Sequence, residues 1–70
     1  MYMTEVKINT EMIKLDSFLK WASIATMGTE AKFYIQEGQI KVNGSIELQR
    51  GKKLYKGDIV EFEGKSYKII

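Results

Sequence analysis

The chain has 70 residues, a net charge of +2, 44% apolar and 29% charged side chains, and neither Cys nor His. This composition excludes a disordered segment and a disulfide framework, and it removes the thiolate and imidazole ligands of zinc or haem together with the commonest general base. No apolar run approaches the roughly 18 residues of a membrane span, and the first residues lack the basic and apolar stretches of a signal peptide; one small cytoplasmic domain over residues 1–70, a monomer without metal or cofactor, is expected.

Thr4 to Asn9 alternates, with Val6 and Ile8 on one face, which predicts a short first strand. Asp16 reads as the N-cap of a first helix whose apolar stripe is Leu15, Phe18, Leu19, Ala22 and Ala25. Lys14 and Lys20 lie off that stripe, Trp21 is expected to be partly buried, and Gly28 is expected to end the helix. Thr29 reads as the N-cap of a second helix over 30–37 that turns Ala31, Tyr34 and Ile35 inward and Lys32, Phe33 and Gln36 to another face. Gly38 is placed to stop it.

Ile40 and Val42 alternate around Lys41 in a strand that ends at Asn43-Gly44, the pair suited to the two φ > 0 positions of a type I′ hairpin turn. Ser45 to Leu48 reads as the returning strand, with Ile46 and Leu48 alternating, and Gln49 to Lys53 as a polar, Gly-containing loop. Gly57-Asp58 marks a turn, 59–62 carries the strongest strand signal, Glu63-Gly64-Lys65 reverses direction, and Ser66 to Ile70 closes the chain as a strand. The predicted architecture is α+β: two short helices packed on a small, mostly antiparallel sheet, with an extra N-terminal strand.

Charge is distributed unevenly. From Lys41 to Lys56 five cations (Lys41, Arg50, Lys52, Lys53 and Lys56) face one anion, Glu47, so this segment carries +4 while the remainder sums to −2. A hairpin that holds the excess positive charge is a place for a polyanion.

Lys14-Leu15-Asp16 followed by Leu19, then Thr29-Glu30-Ala31-Lys32, Ile35, Gly38, Val42-Asn43-Gly44 and Gly57-Asp58-Ile59-Val60, resemble the RNA-binding domain of ribosomal-protein-S-four type, which carries the αL RNA-binding motif. The match covers residues 13–62. The extra first strand, the Gly51-Lys52-Lys53 run and the lack of an attached catalytic domain are similar to the small stand-alone YaaA-type members of that family. The resemblance implies a non-catalytic protein that docks on structured RNA, with ribosomal RNA or an assembling ribosomal particle as the partner. It carries RNA contacts onto Thr29, Lys32, Phe33, Gln36, Lys41, Asn43, Arg50, Lys52 and Lys53, to which the neighbouring cations Lys14, Lys20 and Lys56 are added. The chain departs from the family where Lys14 replaces an Arg, Met27-Gly28 replaces Ser-Arg, and Phe33 replaces a basic residue. More of the phosphate contact is therefore expected on the hairpin.

The chemistry suits these residues. Free amides at the start of the second helix, the Thr29 hydroxyl and the Lys32 ammonium together offer a phosphate site. Arg50, Lys52 and Lys53 on a flexible loop follow an irregular backbone, and Arg50 adds forked or stacking contacts. Phe33 reads either as a core or rim residue or as a surface on which an unpaired base stacks, and Asn43 serves the turn first. A protein-interaction adaptor of the translation or replication machinery, acting through Trp21, Tyr34 or Tyr55, is the alternative. Catalysis is not expected: Gly51-Lys52-Lys53 lacks the spaced Gly and following Ser/Thr of a phosphate-binding P-loop.

Overall fold

Apolar periodicity places thirteen side chains in one core: Ile8, Leu15, Phe18, Leu19, Ala25, Ala31, Ile35, Ile40, Val42, Leu54, Val60, Phe62 and Ile69. The computed structural model describes residues 3–70; Met1 and Tyr2, the first residues of the expected domain, lie outside the described residues. In chain order the elements are β1 (Met3–Val6), β2 (Met12–Lys14), α1 (Leu15–Trp21), α2 (Gly28–Gln36), β3 (Ile40–Val42), β4 (Ser45–Ile46), β5 (Lys53–Tyr55), β6 (Ile59–Phe62) and β7 (Lys65–Ile69). Five strands form a sheet in the order β1-β7-β6-β3-β4, and β2 pairs with β5 in a separate two-stranded sheet. All pairings are antiparallel except β1 with β7, so the extra N-terminal strand joins the sheet edge in parallel.

Alternation along β3 and β6 sorts the five-stranded sheet into two faces. Ile40 opposes Phe62 and Val42 opposes Val60, and all four are buried. Tyr34 of α2 stacks on Phe62 with ring centroids 4.7 Å apart, which fixes the helices on that face. The residues between them, Lys41 and Glu61, point the other way, in a row with Ile46, Ser66 and Met3 across all five strands.

The Asn43-Gly44 turn has the expected chemistry, and the reversal expected at Glu63-Gly64-Lys65 shares it. Asn43 and Gly44 hold φ of 51° and 87°, and Glu63 and Gly64 hold 50° and 76°. Two successive positive φ values are the signature of the type I′ turn, whose twist matches that of the strands it joins. Asn43 does more than turn. Its Oδ1 accepts the Ile59 N–H at 2.9 Å, and its Nδ2 donates to Asp58 Oδ1 at 3.2 Å. Asp58 Oδ2 in turn accepts the Tyr55 N–H at 2.8 Å. One carboxylate thus ties the β3–β4 turn to the β5–β6 turn. Asp58→Ala is expected to lower stability by about 1–3 kcal/mol in urea unfolding, and a cycle with Asn43→Ala should show the two losses to be non-additive.

Several local expectations are corrected. The first helix stops at Trp21 rather than running toward Gly28. Ser23 adopts φ 60°, its N–H donates to Lys20 O, and the Ile24 N–H donates to Leu19 O, which together form a Schellman stop built on a serine. Gly38 stops α2 in the same way, as expected, with φ 73°. Gly28 opens α2 instead of closing α1, and Thr29 lies one residue inside the helix, whose N-cap is Met27 without a side-chain bond. Asp16 likewise lies inside α1, where its Oδ1 accepts only the adjacent Ser17 N–H at 2.8 Å.

The strands differ in extent. β1 ends at Val6, although Ile8 is still buried and its N–H donates to Ile70 O. β4 spans two residues, and Ile46 and Leu48 are exposed instead of alternating into the core. Trp21 is 54% exposed, less buried than expected, and its Nε1 donates to Lys7 O at 2.8 Å. The polar stretch read as a loop up to Lys53 gives way there to β5, whose partner β2 has no counterpart among the strands expected from the sequence.

Candidate nucleic-acid interface

The two-stranded sheet builds the densest part of the site. Lys14 of β2 lies directly opposite Lys53 of β5, and both are exposed. In the next register position the Leu15 N–H donates to Lys52 O at 2.9 Å. Hydrogen-bonded and non-hydrogen-bonded pairs alternate along an antiparallel ladder, so Lys14 and Lys53 form a non-hydrogen-bonded pair, the closer kind, with Cα atoms about 4.5 Å apart. Like charges in that position are destabilising.

The Asp16 N–H then donates to Arg50 O at 3.2 Å, and the Lys52 N–H to Gln49 O at 3.2 Å. The basic segment is therefore not the free loop expected; its backbone is pinned to the first turn of α1 at Arg50 and Lys52. The same bonds consume the opening amides of α1, leaving the cations as the anion-binding groups there. This arrangement brings the backbones of Lys14, Arg50, Lys52 and Lys53 together, and all four side chains are exposed.

A second group lies on α2. Thr29, Lys32, Phe33 and Gln36 recur at helical spacing and are all exposed, opposite the buried Ala31 and Ile35. Phe33 is 55% exposed and meets Tyr34 edge-on, with ring centroids 6.1 Å apart, so it is not a core residue. In the first turn the Glu30 Oε1 accepts the Thr26 N–H at 2.9 Å. This places a carboxylate beside the helix mouth, where it competes with an incoming phosphate. The link between the helices is fastened to the end of α1 by the Ala25 N–H donating to Leu19 O. One group is thus tied to the first turn of α1 and the other, through the link, to its last turn. Lys20 is exposed in that last turn.

The remaining candidates are placed differently. Lys56 is exposed in the turn between β5 and β6. Lys41 lies on the sheet face away from the helices, opposite Glu61, in a recess also lined by Gln39, Phe62, Glu63 and Gly64. The two carboxylates oppose a phosphate there. Asn43 is exposed, but its amide is engaged with Ile59 and Asp58. Tyr34, named for a protein partner, is half-buried against Phe62. Tyr55, also named for a protein partner, was not among the residues expected at an RNA surface. It is 51% exposed beside Lys53 on β5, and the alternation Lys53-Leu54-Tyr55, with Leu54 fully buried, was the available signal.

A helix pair on this sheet, with basic residues on β2 and β5, can be compared with known folds. The family model described as the S4 domain matches residues 6–70. The chain belongs to the S4 domain family. This S4 domain is 46% identical over 59 residues to the probable ribosome maturation protein RlbA of Bacillus subtilis (strain 168), covering 84% of this chain and 83% of that one. It is 34% identical over 58 residues to YbcJ of Escherichia coli (strain K12), covering 83% of each. The solution structure of E. coli YbcJ, described as revealing an αL motif involved in RNA binding, matches the S4 domain with a TM-score of 0.73 and 30% identity, over 100% of this chain and 90% of that one. The crystal structure of 30S ribosomal protein S4e from Thermoplasma acidophilum shares the fold with a TM-score of 0.72 at 21% identity, over 86% of this chain and 32% of that one. Among the described residues no helix is long and apolar enough to cross a membrane.

Proposed function

We propose that this chain is a non-catalytic RNA-binding protein, a single domain over residues 1–70. It docks as a cytoplasmic monomer on structured RNA, either ribosomal RNA or an assembling ribosomal particle. One observation carries the reading: Lys14 and Lys53 stand in direct cross-strand register, with Arg50 and Lys52 fastened beside them. A fold that keeps four cations together against their repulsion offers a phosphodiester backbone a ready cradle. Kinship with the probable ribosome maturation protein RlbA and with a protein whose αL motif is described as involved in RNA binding supports the same direction.

In this reading Lys14, Lys52 and Lys53 neutralise phosphates, while Arg50 makes forked phosphate contacts or stacks. The face of α2 extends the contact with Thr29, Lys32, Phe33 and Gln36, and Lys20 and Lys56 strengthen the surrounding field. Phosphate contacts hold the protein in place, and shape selects the RNA. The test is binding of purified ribosomal RNA across a salt series. Lys52→Ala combined with Lys53→Ala should weaken binding and lower the log–log salt slope by about two, one for each phosphate that is no longer neutralised. Wild-type affinity and slope in the double variant would remove this segment from the interface.

A further inference from the structure

We infer that Tyr55, together with the Lys14–Lys53 pair, forms a seat for one unpaired nucleotide, with its base on the tyrosine ring and the flanking phosphates on the two ammonium groups. The inference rests on the RNA-binding reading and adds a residue and a ligand chemistry to it.

The register supplies the geometry. Met12 opposes Tyr55 and Lys14 opposes Lys53, so these four side chains share one face of the two-stranded sheet. The pair between them, Ile13 and Leu54, faces the core. Residues two apart on a strand are separated by about 6.6 Å, a span that the phosphate-to-base reach of a nucleotide can bridge. Tyr55 is 51% exposed, yet its backbone is held on both sides: its N–H donates to Asp58 Oδ2 at 2.8 Å, and its carbonyl accepts the Asp58 N–H at 3.0 Å. The ring is therefore presented from a fixed position, which limits the ordering cost of stacking.

The chemistry selects the occupant. An apolar protein surface laid on Tyr55 would desolvate two ammonium groups in direct register, at large cost. A nucleotide supplies a π-face for the ring and anionic oxygens for both lysines, which also relieves their mutual repulsion. Regular duplex keeps its bases stacked inside, so the ligand is an unpaired position in a loop, bulge or end.

The experiment compares a short hairpin RNA bearing a single-stranded uridine loop with a blunt duplex of the same stem, titrated with the wild type, Tyr55→Phe and Tyr55→Leu across a salt series. For Tyr55→Leu the loop RNA should be bound roughly 5- to 150-fold more weakly, with the salt slope and melting temperature unchanged. Duplex affinity should be unaffected, and Tyr55→Phe should bind the loop as the wild type does. Wild-type loop affinity in Tyr55→Leu overturns the inference, as does an equal loss on loop and duplex. If the wild type binds neither RNA, the RNA-binding reading fails first and this seat fails with it.

Discussion

Leu54→Ala is expected to destabilise the protein by about 2–5 kcal/mol, the largest single effect anticipated here. Leu54 is fully buried on β5, opposite Ile13, and anchors the two-stranded sheet to the helices. A chain of 70 residues has a total stability of only about 4–10 kcal/mol, so one such truncation removes much of it. Because β5 carries Lys53 and Tyr55, the loss reaches the candidate site through the fold rather than through charge. Urea unfolding should show a lower midpoint with an unchanged slope, and RNA affinity should fall in step with the unfolded fraction. A change below about 1 kcal/mol would mean that β2 and β5 lie outside the cooperative core.

Lys53→Glu should have the opposite signature: binding falls while the fold holds. The substitution turns a like-charge cross-strand pair with Lys14 into an attractive one, worth about 0.2–1 kcal/mol of added stability. It also removes a charge-assisted phosphate contact of about 1.5–3 kcal/mol and sets a carboxylate in its place, so RNA affinity should drop on the order of a hundredfold. Thermal melting and RNA titration of the same sample separate the two effects. A destabilised protein would show that the lysine pair is not strained, and unchanged affinity would show that Lys53 faces no phosphate.

Whether an element is set by its neighbours or by distant partners decides which parts of the molecule were legible in the sequence. The Asn43-Gly44 turn, β6, the stripe of α2 and its Gly38 stop follow local rules, and each is set by neighbouring residues. The end of α1 is not, because Ser23 carries no local sign that it will adopt φ 60°. Asp16 resembles a cap because Asp so often is one. The helix instead opens one residue earlier, at Leu15, and its first two amides, those of Leu15 and Asp16, are taken by the carbonyls of Lys52 and Arg50, far along the chain.

β2 and β5 escape a sequence reading for a related reason. Each spans three residues, and β5 opens on a lysine at the end of a polar run, so the single alternation Lys53-Leu54-Tyr55 is too short to announce a strand. Their pairing exists only in three dimensions, and it makes the lysine cluster a structure rather than a count of charges. The same gap hides Tyr55, whose importance depends on sharing a face with Lys14. Conversely, Lys41 falls within the basic segment by sequence but lies on the far face of the sheet opposite Glu61.

The most direct measurement is amide chemical-shift mapping of the protein during titration with a ribosomal RNA fragment. The largest perturbations are predicted at Lys14, at residues 50–55 and along the exposed side of α2, with Lys41, Glu61 and Ser66 unmoved. Perturbations confined to the open face of the five-stranded sheet, with residues 50–55 silent, would contradict the account.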